Sequence, residues 1–139
     1  MTGHRFHHEH AERLLDPKRK EWIDPEKAIS MLSVKPDDTI MDLGAGNGYF
    51  TIPLAQATNG NVYAVDVQPE MIELLKQRAR QLGMTNIQYQ VADVVSTSLP
   101  SRSIDKGIMA FVFHEVEQKD AAIDEIRRVM RPNGQFLLI

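Results

Sequence analysis

The run Ile40-Met41-Asp42-Leu43-Gly44-Ala45-Gly46-Asn47-Gly48-Tyr49-Phe50 constrains this chain more than any other stretch. It reads as a buried strand that breaks into a glycine loop and then enters a helix. Glycine has no Cβ and reaches φ > 0 freely, so such a loop lets a ligand lie against bare backbone. The helix that follows turns N–H groups toward the same place. The spacing narrows the ligand. A dinucleotide fingerprint is G-x-G-x-x-G/A, with a small third residue where helix meets strand. Here the glycines stand at 44, 46 and 48, and Tyr49 follows where that fingerprint wants a small residue. The pattern points away from NAD and toward a ligand without a pyrophosphate.

The surrounding chain alternates. The segment from Met1 to about Ser33 is polar and aromatic, with helix starts expected at Asp16-Pro17 and Asp24-Pro25, Asp as cap and Pro as first helical residue. Val34 to Asp38 makes a turn. Strands are expected at Thr39–Leu43, Val62–Asp66, Ile87–Val91, Lys106–Phe111 and Gln135–Ile139. Helices are expected at Tyr49–Thr58, Pro69–Leu82 and a third ending near Met130. The second carries a stripe of Met71, Leu74, Leu75, Arg78 and Leu82, and the third one of Ala122, Ile123, Ile126 and Val129. Gly83 closes the second helix, Leu99 to Asp105 is a loop, and Arg131-Pro132-Asn133-Gly134 is a turn. Such alternation argues for an α/β fold, an open parallel sheet with helices on both faces. Phe136 to Ile139 looks like a central strand with nothing after it, an edge that a second copy, in a homodimer, would cover.

Composition excludes several classes. At 139 residues the chain is one domain. A net charge of −3 gives no electrostatic reason to expect nucleic acid. Lys18-Arg19-Lys20 is diluted by Asp16, Glu21 and Asp24 and reads as a solvated helix face. The absence of cysteine removes disulfides, thiolate metal sites and cysteine nucleophiles. No apolar run approaches the ~20 residues of a membrane span, and no signal peptide opens the chain. The expected location is the cytoplasm, with no membrane partner.

In an open α/β sheet the ligand sits beyond the carboxyl ends of the strands. Four features fall there: the glycine loop with Asp42 ahead of it, Asp66 at the end of strand two, Ala92-Asp93-Val94 after strand three, and Ala110 to Glu115 after strand four. A carboxylate at Asp66 can accept from both hydroxyls of a ribose. Asp93 can accept from an exocyclic amine while the backbone reads a purine edge. Each acid also has a plainer reading. Asp42 and Asp66 can cap helices, and Asp93 can bond its own backbone in an Asx turn.

The set Asp42 to Gly48, Val65-Asp66, Ala92-Asp93, Asp105 through His114 and Arg128 to Gly134 resembles the class I S-adenosylmethionine-dependent methyltransferases. The likeness is strongest to the small-molecule branch that includes quinone-biosynthesis enzymes, and it covers about Val34 to Ile139. It implies a Rossmann-like domain over 34–139, preceded by an N-terminal helical lid over 1–33. It also implies a sheet that stops at strand five, without the C-terminal antiparallel strands of similar enzymes, as if truncated. The cofactor implied is S-adenosylmethionine. Gly44, Ala45, Gly46, Asn47 and Gly48 would lie against its methionine part, with Asp42 turned toward the amino group through water. Asp66 would hold the ribose and Val67 flank the adenine. Asp93 would accept from the adenine amine, the Val94 N–H would meet the ring, and the Ala110 carbonyl would help bind the methionine amine. Pro132-Asn133-Gly134 departs slightly from the family's Pro-Gly-Gly turn.

A sulfonium carries an activated methyl group, so the chemistry implied is an in-line displacement onto a small-molecule acceptor. A base is needed only if the acceptor must lose a proton, and His114 is the residue expected there; its alternative is to cap or pack at the next helix. His4, His7, His8 and His10 with Glu9 suggest a metal, but a polar lid is the preferred reading and no metal is assigned. Arg5, Phe6 and Trp22 would reach substrate, with packing as the alternative for Phe6 and Trp22. Ala110-Phe111-Val112-Phe113 lacks the polar-Pro-Pro-aromatic stretch that similar enzymes use on flipped bases, which argues against nucleic-acid amines. Two other functions compete: a non-catalytic cofactor-binding or nucleotide-binding module and, further back, an NAD-dependent oxidoreductase.

Overall fold

Asp24 starts the first helix as its cap. Its carboxylate accepts the Lys27 N–H at 2.7 Å, and Pro25 opens α1 (Pro25–Leu32), which ends at Ser33 in the left-handed region. These observations come from a computed structural model that describes residues 23–110 and 112–139. The remaining elements are β1 (Ile40–Leu43), α2 (Thr51–Ala57), β2 (Val62–Asp66), α3 (Pro69–Gln81), β3 (Ile87–Val91), β4 (Ile104–Met109), α4 (Lys119–Val129) and β5 (Met130–Leu138). The helix start expected at Asp16-Pro17 lies outside the described residues.

All pairings are parallel and the strand order is β3-β2-β1-β4-β5. Side chains alternate across the sheet, so the central strands β1, β2 and β4 feed two cores. Ile40, Val62, Ala64 and Ile108 pack with Ala28 and Leu32 of α1, Leu54 and Ala55 of α2, and Leu75 and Ala79 of α3. Met41, Leu43, Val65 and Met109 pack with Val129 and Ile126 of α4 and with Leu99. A sheet covered on both faces explains why β1 is buried at every position. The likeness to a Rossmann-like sheet is borne out.

Several boundaries differ from expectation, each for a physical reason. Strand four begins at Ile104 and ends at Met109, not at Lys106 and Phe111. Its charged residues are absorbed locally: the Asp105 carboxylate accepts the Thr39 N–H at 2.9 Å, and buried Lys106 donates to Gln135 Oε1 at 3.0 Å. A 3-10 turn, Phe113–Glu115, separates β4 from α4, so the helix after strand four starts later than the sequence suggests. In α3 the buried stripe is Met71, Ile72, Leu75 and Ala79, while Leu82 is 55% exposed. The turn at Arg131–Gly134 is carried inside β5: Ile104 faces Met130 but Lys106 faces Gln135, a bulge in the register. Finally, β5 is an edge strand among the described residues, and Leu138 is 48% exposed. No helix among the described residues is long and apolar enough to cross a membrane.

Candidate functional site

The chain leaves β1, steps outward through β2 and β3, then returns to β4 on the other side of β1. That reversal opens a crevice beyond the carboxyl ends of β1 and β4, where open α/β sheets take their ligands. The glycine loop leaves β1 at this crevice, and the segment from Ala110 leaves β4 beside it.

Backbone bonds set the loop. The N–H groups of Gly44 and Ala45 both donate to the Val65 carbonyl, at 2.7 and 2.9 Å, and Gly48 N–H donates back to Ala45 at 3.0 Å. All three glycines have positive φ: 83° at Gly44, 56° at Gly46 and 96° at Gly48. Two are also sterically required. A Cβ on Gly44 would stand 2.7 Å from Val112 Cγ2, so this glycine lets the loop touch the chain leaving β4. A Cβ on Gly48 would stand 2.3 Å from Leu75 Cδ1, so α3 closes directly on the loop. From the same helix, Arg78 Nη1 donates to the Asn47 carbonyl at 2.6 Å.

The acids sit around this loop. Asp66 Oδ2 accepts the Gly46 N–H at 2.9 Å, and Oδ1 accepts the Gln68 N–H at 2.8 Å. It therefore ties the loop to the end of β2. Asp42 is 2% exposed, and its Oδ2 accepts the Thr51 hydroxyl at 2.6 Å. Burial pushes the Asp42 carboxyl up to about 7; the Thr51 hydrogen bond opposes this and the neighbouring Asp66 charge adds to it. Asp42, half ionised near pH 7, and the Asp66 charge that helps raise it make the crevice electronegative at and above neutral pH, which suits a cation.

A pH dependence follows. Folded Asp42 holds its proton up to about pH 7, whereas an unfolded Asp releases it near 3.8. The folded state thus binds more protons between those values, and Asp42's contribution is full below about pH 4 and lost as pH rises through 7. Asp42→Asn should remove a stability loss of a few kcal/mol over that window. Urea unfolding of parent and variant at pH 5 and pH 8 reads it: the variant should gain on the parent at pH 8 relative to pH 5.

Gathered at the crevice are Asp42, Gly44, Ala45, Gly46, Asn47, Gly48 and Asp66, with Ala110 buried at the end of β4. Val67 is 38% exposed beside them. The chain leaving β3 is joined to Asp66 through Ala92 N–H, which donates to the Asp66 carbonyl at 3.0 Å. Asp93 is exposed, and its Oδ1 accepts the Val95 N–H at 3.2 Å, the Asx turn of its plainer reading. Val94 packs into the second core. His114 lies in the 3-10 turn with its side chain 72% exposed and its Nε2 3.8 Å from Glu115 Oε1. Phe111, Arg5, Phe6, Trp22 and the histidine cluster of residues 4–10 lie outside the described residues.

Sequence reasoning missed four contributors. Thr51 is fully buried on Asp42; a Thr in the first turn after a glycine loop was the available signal. Arg78 sits at a stripe position but grips the loop instead. Glu125 and Arg128, on α4, hold the chain after β3, and only tertiary structure reveals that.

Comparison with known proteins agrees with this geometry. A 2-phytyl-1,4-naphtoquinone methyltransferase of Trichormus variabilis is 31% identical over 117 residues, covering 82% of this chain and 51% of that protein. A ubiquinone/menaquinone biosynthesis C-methyltransferase of Hydrogenovibrio crunogenus is 27% identical over 115 residues, 81% of this chain and 45% of that protein. The chain thus spans about half the length of the curated relatives it matches. The crystal structure of a SAM-dependent methyltransferase from Aquifex aeolicus superposes with a TM-score of 0.85 at 32% identity, covering 92% of this chain and 69% of that one. A family model described as a methyltransferase domain matches residues 40–134, from the first residue of β1 into β5. By sequence and by fold, then, the chain belongs to the methyltransferase domain family.

Proposed function

We propose that this chain binds S-adenosylmethionine in the crevice between β1 and β4 and transfers its methyl group to a small-molecule acceptor. The observation that carries the reading is the pair Asp42 and Asp66 buried around a bare glycine loop. A dinucleotide would bring a pyrophosphate to that loop beside Asp42, with Tyr49 standing where its fingerprint wants a small residue. A sulfonium with an ammonium brings positive charge. The similarity to two quinone methyltransferases favours an apolar, aromatic acceptor. When bound, the cofactor supplies an activated methyl group on sulfur.

The chain's residues would do the rest. Gly44 to Gly48 would receive the amino-acid end on bare backbone, with Asp42 and the Ala110 carbonyl facing the ammonium. Asp66 would accept from the ribose hydroxyls, which still leaves its two backbone donors in place because a carboxylate offers about four acceptor sites. Val67 would flank the adenine, Asp93 would accept from its amine, and Val94 N–H would meet the ring. His114, exposed at the mouth, would take a proton from the acceptor. Of the N-terminal segment 1–33 expected as a lid on the domain of 34–139, α1 belongs to the core through Ala28 and Leu32, so only the residues ahead of it would close over the site. A cytoplasmic enzyme fits a chain without cysteine. The β5 edge would be covered by a second copy in a homodimer, leaving nucleic acid and membranes without a part.

His114→Ala should lower turnover by about 10- to 100-fold while leaving the dissociation constant for S-adenosylhomocysteine unchanged. Methyl-transfer assays with a naphthoquinol panel beside calorimetry read both quantities; unchanged turnover would remove His114 from the chemistry. One observation favours a second reading. Because the chain spans about half of its curated relatives, a cofactor-binding module without turnover is the alternative. Binding without methyl transfer, where a longer open reading frame does transfer, would select it.

A further inference from the structure

The loop leaving β3 is anchored by α4 through a single carboxylate. Glu125 Oε2 accepts both the N–H and the hydroxyl of Thr97, at 2.8 and 2.7 Å. Arg128 grips Glu125 with two parallel bonds, Nε to Oε1 and Nη2 to Oε2, each 2.8 Å. The same guanidinium reaches the Leu99 carbonyl at 2.8 Å and Ser101 Oγ at 3.1 Å. On the other leg, Gln90 at the end of β3 accepts the Ser98 N–H at 3.0 Å and donates to Ser98 Oγ at 2.9 Å. Between these pins the chain carries Asp93, whose carbonyl accepts Ser96 N–H and whose carboxylate accepts Val95 N–H. Every residue from Val95 to Ser98 is thereby bonded either to Asp93 or to a pin.

An ion pair on one helix, three residues apart, adds little to stability where its cation is exposed, and the Arg128 side chain is 38% exposed. A forked Arg–carboxylate contact does fix direction, because both groups are planar. Here the fork aims the Glu125 carboxylate at Thr97 rather than at solvent. The arrangement is poor as a staple and good as a gauge.

We propose that Glu125, aimed by Arg128, is a positioning residue for purine recognition: through Thr97 it fixes where Asp93 and Val94 stand and so sets the choice between a 6-amino and a 6-oxo purine. This rests on the reading of the crevice as an S-adenosylmethionine site. Glu125 itself touches no ligand. Loss of the pin lets the Asp93 carboxylate wander, and an acceptor that wanders no longer tells an amine from a carbonyl.

Calorimetric titration of the full chain with S-adenosylhomocysteine and with S-inosylhomocysteine tests this. The parent should prefer the 6-amino ligand about tenfold or more, the worth of one well-placed hydrogen bond and an avoided repulsion. Glu125→Ala should compress that preference to about twofold, and Thr97→Val, which removes the hydroxyl's bond to Glu125 and its long 3.4 Å acceptance from Leu99 N–H while keeping the Thr97 N–H bond, to an intermediate value. Glu125→Gln keeps an acceptor for the Thr97 N–H and should restore part of it. A purely structural Glu125 would shift melting and leave the ratio alone. If Thr97→Val and Glu125→Gln both keep the parent's ratio, the positioning role is overturned, even should Glu125→Ala fail to fold. A parent that binds neither ligand would instead refute the cofactor reading, and one that binds both alike would refute Asp93 as the purine reader.

Discussion

Gly48→Ala should cost about 3 kcal/mol of stability, enough to move the urea midpoint far outside experimental error. Two terms add. The backbone at Gly48 stands at φ 96°, where an L residue pays roughly 1–2 kcal/mol. The new methyl would also lie 2.3 Å from Leu75 Cδ1 and 3.3 Å from Ile52 Cδ1. Leu75 is fully buried, so it has no free rotamer to move into without disturbing α3, and overpacking of this kind costs about 1–3 kcal/mol. The surviving fold should bind cofactor more weakly, because α3 holds the loop at Asn47 through Arg78. Gly83→Ala is the internal control. It shares a positive φ of 69° but meets nothing within 4 Å, so it carries only the backbone term. Equal losses at the two positions would show that packing of the loop on α3 contributes nothing.

Asp66→Ala should lower cofactor affinity by about 100-fold or more while leaving a cooperative fold. Charge-assisted hydrogen bonds contribute about 1.5–3 kcal/mol each, and two to a ribose exceed the 2.8 kcal/mol of a hundredfold change. The variant also frees the N–H groups of Gly46 and Gln68, so loop order falls with the ribose contact. Asp66→Asn separates the effects. It keeps an acceptor for one backbone N–H and loses the charge, and a drop of about tenfold is expected. Calorimetry with S-adenosylhomocysteine reads the affinity, and circular dichroism reports the fold. An Asp66→Ala chain that binds as tightly as its parent would remove Asp66 from the ribose role.

The sequence made some features plain because their causes are local. Asp24-Pro25 caps α1 by a contact three residues long, and Gly83 ends α3 because only a residue tolerant of positive φ fits there. The runs of β1 and β2 carry their own signal, since strands buried between helix layers are near-continuous, while β3 shows itself by the alternation Ile87, Tyr89, Val91. β4 was harder. Ile104 and Asp105 read as loop, and the partners that bring them into the strand, Met130 and Thr39, lie far away in the chain. The α3 stripe keeps Met71 and Leu75 as expected but runs on through Ile72 and Ala79 rather than Leu74, Arg78 and Leu82, because Ala79 is small and Leu82 is large although Ala79 is the one buried. Arg131–Gly134, expected as a turn, lies inside β5, where the pairing with β4 shifts register between Ile104 and Lys106.

The site divided the same way. The glycine loop, Asp42 and Asp66 were legible from spacing, because a strand end and the next strand end must meet at the crevice. Arg78, Thr51 and the Glu125–Arg128 anchor were not. Each acts across a contact between elements, and a charged residue on a helix looks the same in sequence whether it faces solvent or a carbonyl. Asp93 occupies middle ground: its place after β3 is clear, while the pins that hold its loop, Gln90 on β3 and Glu125 on α4, act across contacts the sequence does not display.

The crevice is expected to take a cationic sulfonium cofactor rather than a dinucleotide. Isothermal titration of the intact chain with S-adenosylmethionine and, separately, with NAD measures that directly. The account predicts one molecule of S-adenosylmethionine per chain, with a dissociation constant on the order of micromolar to tens of micromolar, and no heat with NAD. Saturable binding of NAD with none of S-adenosylmethionine would contradict it.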